Sequence, residues 1–196
     1  MNQHVALKTF EGSRPHRIVA DEFRRMIDAG AFANARVELV GGKLIEMAPS
    51  GRPHGALVAR LTRLIGNAYG DDDWLHFVDT YVGIGPQTVR APDISVVDRH
   101  QDRGAELTGR DVVLAIEVSH ATLKEDLERK RIDYAKAGIR HYWVVDVEGC
   151  RVHQFTGAAS GDYADVTVSE FGQAIPLPSS DKTVVIENDI AIGGSR

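Results

Sequence analysis

The chain has 196 residues, with 23 Lys and Arg against 28 Asp and Glu, for a formal net charge of −5. Hydrophobic residues at 43% and charged residues at 26% are the balance of an ordinary globular protein, and one domain over residues 1–196 can bury a sizeable core without disulfide staples. This excludes collagen, a coiled coil, long disorder and a strongly basic nucleic-acid coat, and no apolar run approaches the ~18 residues of a membrane span.

In chain order, the first ~15 residues read as a loose arm. Asp21 opens a short helix in which Phe23, Met26 and Ile27 share helical spacing before a stop at Gly30. Residues 36–47 predict a hairpin, because Gly41-Gly42 between two apolar strands supplies the positive φ of a tight primed turn. Pro49-Ser50-Gly51-Arg52-Pro53 is a loop by composition. A helix follows over 54–68, with Leu57, Leu61, Leu64, Ile65 and Ala68 on one face, and Asp71-Asp72-Asp73 ends it in solvent. Strand-like runs come at 75–84, 94–97 and 112–118, then a second helix over 124–137 that stops at Gly138. Strands at 141–147 and 151–155 follow, and 156–196 forms a β tail with strand character from Tyr163 and again at 183–186. The order αββαβββαββ, with extra β at the end, predicts a mixed sheet with helices packed on it. The single cysteine, Cys150, cannot close an internal disulfide, which fits a reducing cytoplasm, and the N-terminal residues lack the apolar core of a signal peptide.

The net charge hides an asymmetry. Residues 1–70 carry 10 basic and 6 acidic side chains, whereas 71–196 carry 13 and 22. Residues 47–70 contain no acid, yet hold Arg52, Arg60 and Arg63. Local patches, more than net charge, govern docking.

Glu117 lies in Val112-Val113-Leu114-Ala115-Ile116-Glu117-Val118, which reads as a central strand covered on both faces. A charge there costs several kcal/mol unless a partner or metal compensates it, so it marks either a structural ion pair or a functional acid. Asp93 follows Ala91-Pro92 and precedes Ile94-Ser95-Val96-Val97, placing it at the mouth of a strand. By itself a Pro-Asp pair reads as a turn, but neighbouring strands would bring Asp93 and Glu117 within reach of one hard cation that prefers oxygen ligands. Lys130 falls on the stripe Leu123, Leu127, Lys130, Tyr134, Ala137, one otherwise apolar helical face. It either snorkels to solvent or meets a carboxylate or a substrate anion, and Asp126 can pair with it at i,i+4. Tyr134 reads as packing. Glu38 alternates with Val37 and Leu39 and points to either face of the sheet. The eight histidines lack zinc-site spacing, Gly83-Ile84-Gly85 lacks the context of a phosphate loop, and Ser119 lacks the glycines of a nucleophile elbow.

Taken together, Ala91-Pro92-Asp93, Leu114-Ala115-Ile116-Glu117-Val118-Ser119, Asp126, Lys130, Tyr134-Ala135 with Gly138-Ile139, and Tyr142-Trp143-Val144-Val145-Asp146 closely resemble one family. It is the Uma-two (Uma2) family of restriction-endonuclease-like proteins, within the PD-(D/E)XK nuclease superfamily. Val37-Glu38-Leu39-Val40 with Gly42-Lys43-Leu44, and the Pro53-His54 pair, match in the same order, so the resemblance covers residues 20–155.

The resemblance implies a restriction-endonuclease-like α/β (α+β) fold, a central mixed sheet flanked by helices, with a Mg²⁺ site at the strand ends for which Mn²⁺ can substitute. Asp93 matches the Asp of the Pro-Asp motif, Glu117 the second acid and Glu38 an upstream acid, with the Val118 carbonyl as a further metal ligand. The chain departs from the superfamily motif at Ser119, where a catalytic lysine normally stands. Lys130 matches the lysine of the following helix and can reach the same space. The implied activity is Mg²⁺-dependent hydrolysis of DNA phosphodiester bonds, with catalytic residues Glu38, Asp93, Glu117 and Lys130, and with Arg52, His54, Arg60 and Arg63 as phosphate contacts. A homodimer would serve two-strand cutting. The alternatives are a nuclease-fold module that binds nucleic acid or protein without cutting, motivated by Ser119, and a purely structural ion network.

Overall fold

The computed structural model describes residues 14–48, 51–70, 73–100 and 106–187. The arm expected before residue 14, Pro49-Ser50, Asp71-Asp72 and the tail beyond 187 lie outside the described residues.

Helix α1 (Ala20–Asp28) precedes a hairpin of β1 (Arg36–Val40) and β2 (Lys43–Met47). Gly41 and Gly42 turn it with φ of 56° and 77°, the positive angles that the sequence predicts. Helix α2 (Arg52–Tyr69) begins two residues earlier than its apolar face suggests, with Pro53 in the first turn, where a missing N–H costs nothing. Then come β3 (Trp74–Val78), β4 (Val82–Gly85), β5 (Thr88–Arg90), β6 (Ile94–Asp98), the short β7 (Leu107–Thr108) and β8 (Val112–Ser119). One helical segment crosses over from there: α3 (Leu123–Glu125), a π turn (Asp126–Lys130) and α4 (Arg131–Ala137). Strands β9 (His141–Asp146), β10 (Arg151–Ala159) and β11 (Asp162–Glu170) follow, then the small hairpin of β12 (Ala174–Pro176) and β13 (Thr183–Val185).

Apart from the two-stranded β12–β13 hairpin, the described strands form two mixed sheets rather than one. The larger has the order β11-β10-β9-β8-β6-β3 and the smaller β2-β1-β5-β4-β7. The run 75–84, expected as one strand, is divided between them: β3 pairs with β6, whereas β4 pairs with β5 and β7. Asp79, with φ of 51°, turns the chain at the break, a conformation that aspartate tolerates better than most residues. In the large sheet only β8 and β9 run parallel, and a parallel pair needs the crossover that the helical segment supplies.

Both faces of the large sheet are covered, so its central strands are largely apolar, with Glu117 of β8 a buried acid among them. Leu57, Leu61 and Ile65 of α2 pack with Leu114, Ile116, Val118, Trp143 and Val145 on one face. The β12–β13 hairpin adds Ile175 and Val184 to that layer, flanked by Leu177 and Ile186, so the tail covers the sheet. On the opposite face Tyr134, Ala135 and Ile139 pack with Ala115, Tyr142, Val144 and Phe155.

Candidate active site

Alternation along β8 sends Leu114, Ile116 and Val118 toward α2 and Ala115 toward α4, which leaves Glu117 and Ser119 on the α4 side. β6 pairs antiparallel with β8, Ile94 opposite Ile116, so Asp93 lies beside Glu117 on the same face. Asp93 begins where the β6 ladder ends, and its Oδ2 accepts the Val118 N–H at 2.8 Å. Its Oδ1 lies 3.2 Å from His54 Nε2 and 4.0 Å from Arg36 Nη2, and Arg36 also pairs with Asp79. Burial alone would raise the Asp93 carboxyl. The hydrogen bonds from His54 and Val118 outweigh it and hold Asp93 below its ordinary value. The same bond to Asp93 raises the His54 imidazole against its own partial burial.

Glu117 is 3% exposed and has partners at both oxygens. The Tyr134 hydroxyl donates to Oε1 at 2.6 Å, and Lys130 Nζ sits 2.9 Å from Oε2. The same ammonium lies 3.0 Å from Asp126 Oδ1. Two buried carboxylates, Glu117 and Asp126, therefore flank one buried lysine, and a third, Asp93, is buried on the neighbouring strand. Burial pushes the Glu117 carboxyl up to about 8, with Lys130 pulling the other way and Asp93 and Asp126 adding to the rise. Burial works against the Lys130 charge, but Glu117, Asp126 and Glu38 reverse this and hold the ammonium above its ordinary range.

Asp93, Glu117, Lys130, Arg36, Glu38 and His54 share the lining of one cavity of about 240 Å³. A larger cavity, about 400 Å³, lies by α1 and is walled by Ile27, Phe77, Tyr81 and Leu107. It contains none of these residues. Among the described residues no three His, Cys, Asp or Glu side chains converge as a preformed metal cluster. The acids that share the 240 Å³ cavity are instead neutralised by Lys130, Arg36 and Arg90.

Residues 20–183 match the family model Uma2, described as "Putative restriction endonuclease". The chain belongs to the Uma2 family. The match runs past β10, β11 and β12 and ends at Thr183, the first residue of β13. A solved structure of similar fold is the "putative nuclease belonging to DUF820" from Anabaena variabilis ATCC 29413, with a TM-score of 0.69 and 18% identity. The alignment covers 89% of this chain and 99% of that one, and at such identity the likeness is one of fold. A search of the curated proteins returns no significant match.

Within this Uma2 chain the other expected residues divide. Glu38 does face the cavity, but Arg90 Nη1 sits 3.0 Å from its Oε2, and its Oε1 accepts the Ala91 N–H at 3.1 Å. Arg52 and Arg63 are exposed and Arg60 is half-buried, all on α2. His54, from the first turn of α2, is drawn to Asp93. Among the described residues no helix is long and apolar enough to cross a membrane.

Sequence reasoning missed three participants. Arg90 is 2% exposed, and its Nε and Nη2 lie 3.0 and 2.6 Å from Asp133 Oδ2. Burial opposes its charge, but Glu38 and Asp133 hold it protonated. It ties β1 and β5 to α4. The available signal was a cation inside the apolar run Val89-Arg90-Ala91-Pro92, next to the Pro-Asp pair. Arg36 carried no signal beyond its position at a strand start. Tyr134, read as packing, packs indeed but also bonds Glu117 through its hydroxyl.

Proposed function

We propose that this Uma2 chain is a Mg²⁺-dependent endonuclease acting on DNA, with its centre at Asp93, Glu117 and Lys130. The observation that carries this reading is the convergence of two nearly buried carboxylates from adjacent strands with a buried lysine from the crossover helix. The donor set suits a hard divalent ion: Asp93 and Glu117 offer carboxylate oxygens and Val118 a carbonyl, with no sulfur. Burial, with Asp93 and Asp126 adding to it, raises Glu117, and such an ion would favour its charged form. When bound, it would supply Lewis acidity toward a water and toward the phosphate oxygens.

The chain's own residues do the positioning. Tyr134 fixes the rotation of the Glu117 carboxylate by holding Oε1, and Val118 N–H does the same for Asp93 through Oδ2. Lys130 keeps its proton at Nζ, so it acts as a fixed positive charge beside the cavity, suited to the charge that grows on a phosphate in the transition state. Glu38 acts through Arg90, as a positioning residue. Arg52, Arg60 and Arg63 supply cationic groups on α2 for phosphates, contacts that carry no sequence information. A two-fold homodimer would present one centre to each strand of a duplex.

The test is cleavage of plasmid and of single- and double-stranded oligonucleotides with Mg²⁺, with Mn²⁺ and with EDTA. Divalent-dependent cleavage that Asp93→Ala and Glu117→Ala abolish is expected, and full activity in either variant would sink the assignment. Ser119 in the usual lysine position favours a second reading, a nuclease-fold protein that binds without cutting. Absence of Mn²⁺ binding by calorimetry, together with retained DNA binding, would support it.

A further inference from the structure

Asp126 has no role in the reading above. It is 1% exposed, and a carboxylate so deeply placed calls for a physical account. Its Oδ2 accepts the Thr122 hydroxyl at 2.7 Å. Its Oδ1 takes no hydrogen bond among the described residues and has only the ion pair with Lys130, at 3.0 Å. Thr122 uses its single hydrogen on Asp126, so the long 3.4 Å contact between Thr122 Oγ1 and Ser119 Oγ has Ser119 as donor. A chain of polar groups thus runs from the serine in the usual lysine slot, through Thr122 and Asp126, to the lysine that stands in for it.

The backbone is shaped around the same pair. The helix opens into a π turn over Asp126–Lys130, and within it only Asp126 and Lys130 are buried. π turns are rare and concentrate at functional sites. Widening the turn keeps residues spaced four apart on one side, here Asp126, Lys130 and Tyr134. The buried Tyr142 hydroxyl, from β9, donates to the Asp126 carbonyl at 3.0 Å and ties the opened turn to the sheet.

We propose that Asp126 is a positioning residue that holds Lys130 over Glu117, in a π turn braced by Tyr142, and thereby makes up for the serine at 119. The proposal rests on the nuclease reading for its catalytic consequence, but not for the anchoring itself. The two are therefore measured separately. Anchoring is read from amine acylation followed by mass spectrometry, which reports how accessible each lysine ammonium is. In the parent protein Lys130, 6% exposed, is expected to label slowly. Asp126→Asn removes the ion pair with little change of shape, and Lys130 labelling is expected to rise several-fold while other lysines keep their rates. Tyr142→Phe is expected to shift it in the same direction. A rise at every lysine would mean general loosening of the fold and would overturn the assignment, as would an unchanged Lys130 rate in Asp126→Asn.

Function is read in the Mg²⁺ cleavage assay. Asp126→Asn is expected to lower kcat by roughly 10- to 100-fold, the cost of misplacing one group by about an ångström, with KM for the oligonucleotide held. In a Lys130→Met background the same change is expected to add nothing. Independent, multiplying effects of the two substitutions would overturn the positioning role. If the parent cuts nothing, the nuclease reading fails, and the labelling result still decides whether Asp126 anchors Lys130.

Discussion

Replacing Glu117 by glutamine separates charge from shape at the centre of the site. The Glu117 carboxyl rises from an ordinary 4.5 to about 8 because burial disfavours its charged form. Between those two values the folded chain keeps a proton that the unfolded chain has released. The native state therefore binds more protons, and stability falls as pH rises through this window. At about 1.4 kcal/mol per pKa unit, the whole effect is on the order of 4 to 5 kcal/mol. Glutamine carries no such charge, so the stability difference between Glu117→Gln and the parent should grow in favour of the variant from pH 5 to pH 8. Urea denaturation at pH 5, 6, 7 and 8 in EDTA measures it, and taking the difference cancels the titration of every group not coupled to Glu117. Mn²⁺ should stabilise the parent more at pH 8 than at pH 6, because the ion relieves a charge that is present only at the higher pH. Parallel pH profiles for parent and variant would refute the reasoning, since Glu117 would then be ionised at no cost.

The remaining expectations concern the surroundings of the site. Arg90→Met removes the guanidinium from Glu38 and Asp133 and should cost about 3 to 5 kcal/mol in urea denaturation, because it strands a buried carboxylate. Adding Glu38→Leu should recover part of that loss, and no recovery would show that the cost lies elsewhere. The His54–Asp93 pair should stabilise within a pH window. The raised His54 contributes fully below pH 6.5 and is lost as pH rises through its folded value, whereas the lowered Asp93 contributes above 3.8 and is lost as pH falls through its own. His54→Asn should flatten both limbs, and NMR titration of the imidazole should give a folded pKa above 6.5 in the parent. In the hairpin turn an added Cβ at Gly42 would come within 2.8 Å of Arg17 Cβ, whereas at Gly41 it meets nothing within 4 Å. Both have positive φ, so each alanine should cost about 1 kcal/mol, with Gly42→Ala the worse by thermal melt; equal losses would contradict the steric argument.

Much of the fold was legible because local chemistry decided it. Gly41-Gly42 can only be a tight turn, and the apolar face of α2 and the continuous apolar run of β8 each describe one burial geometry. The juxtaposition of Asp93 and Glu117 followed from chain length and strand order, and the inward aim of Lys130 from periodicity alone. The division of 75–84 between two sheets was not legible, since β3 and β4 have similar apolar content and differ only in which distant strands they meet. Arg90 was missed because three-residue β5 is too short to show a period. The π turn was missed because a 4, 3, 4, 3 stripe is what an unbroken α-helix would also show.

The sequence by itself therefore determined the residue types on offer, two strand-borne carboxylates and a lysine on an apolar helical face, together with the family to which the chain belongs. Only the tertiary structure decided how their charges are shared: that Lys130 lies between Glu117 and Asp126, that Arg90 holds Glu38, and that His54 turns to Asp93. The reason is physical. Backbone periodicity is a local property and is written along the chain, whereas burial of a charge depends on elements far apart in sequence, and the pairing of buried charges is settled only when those elements close around them.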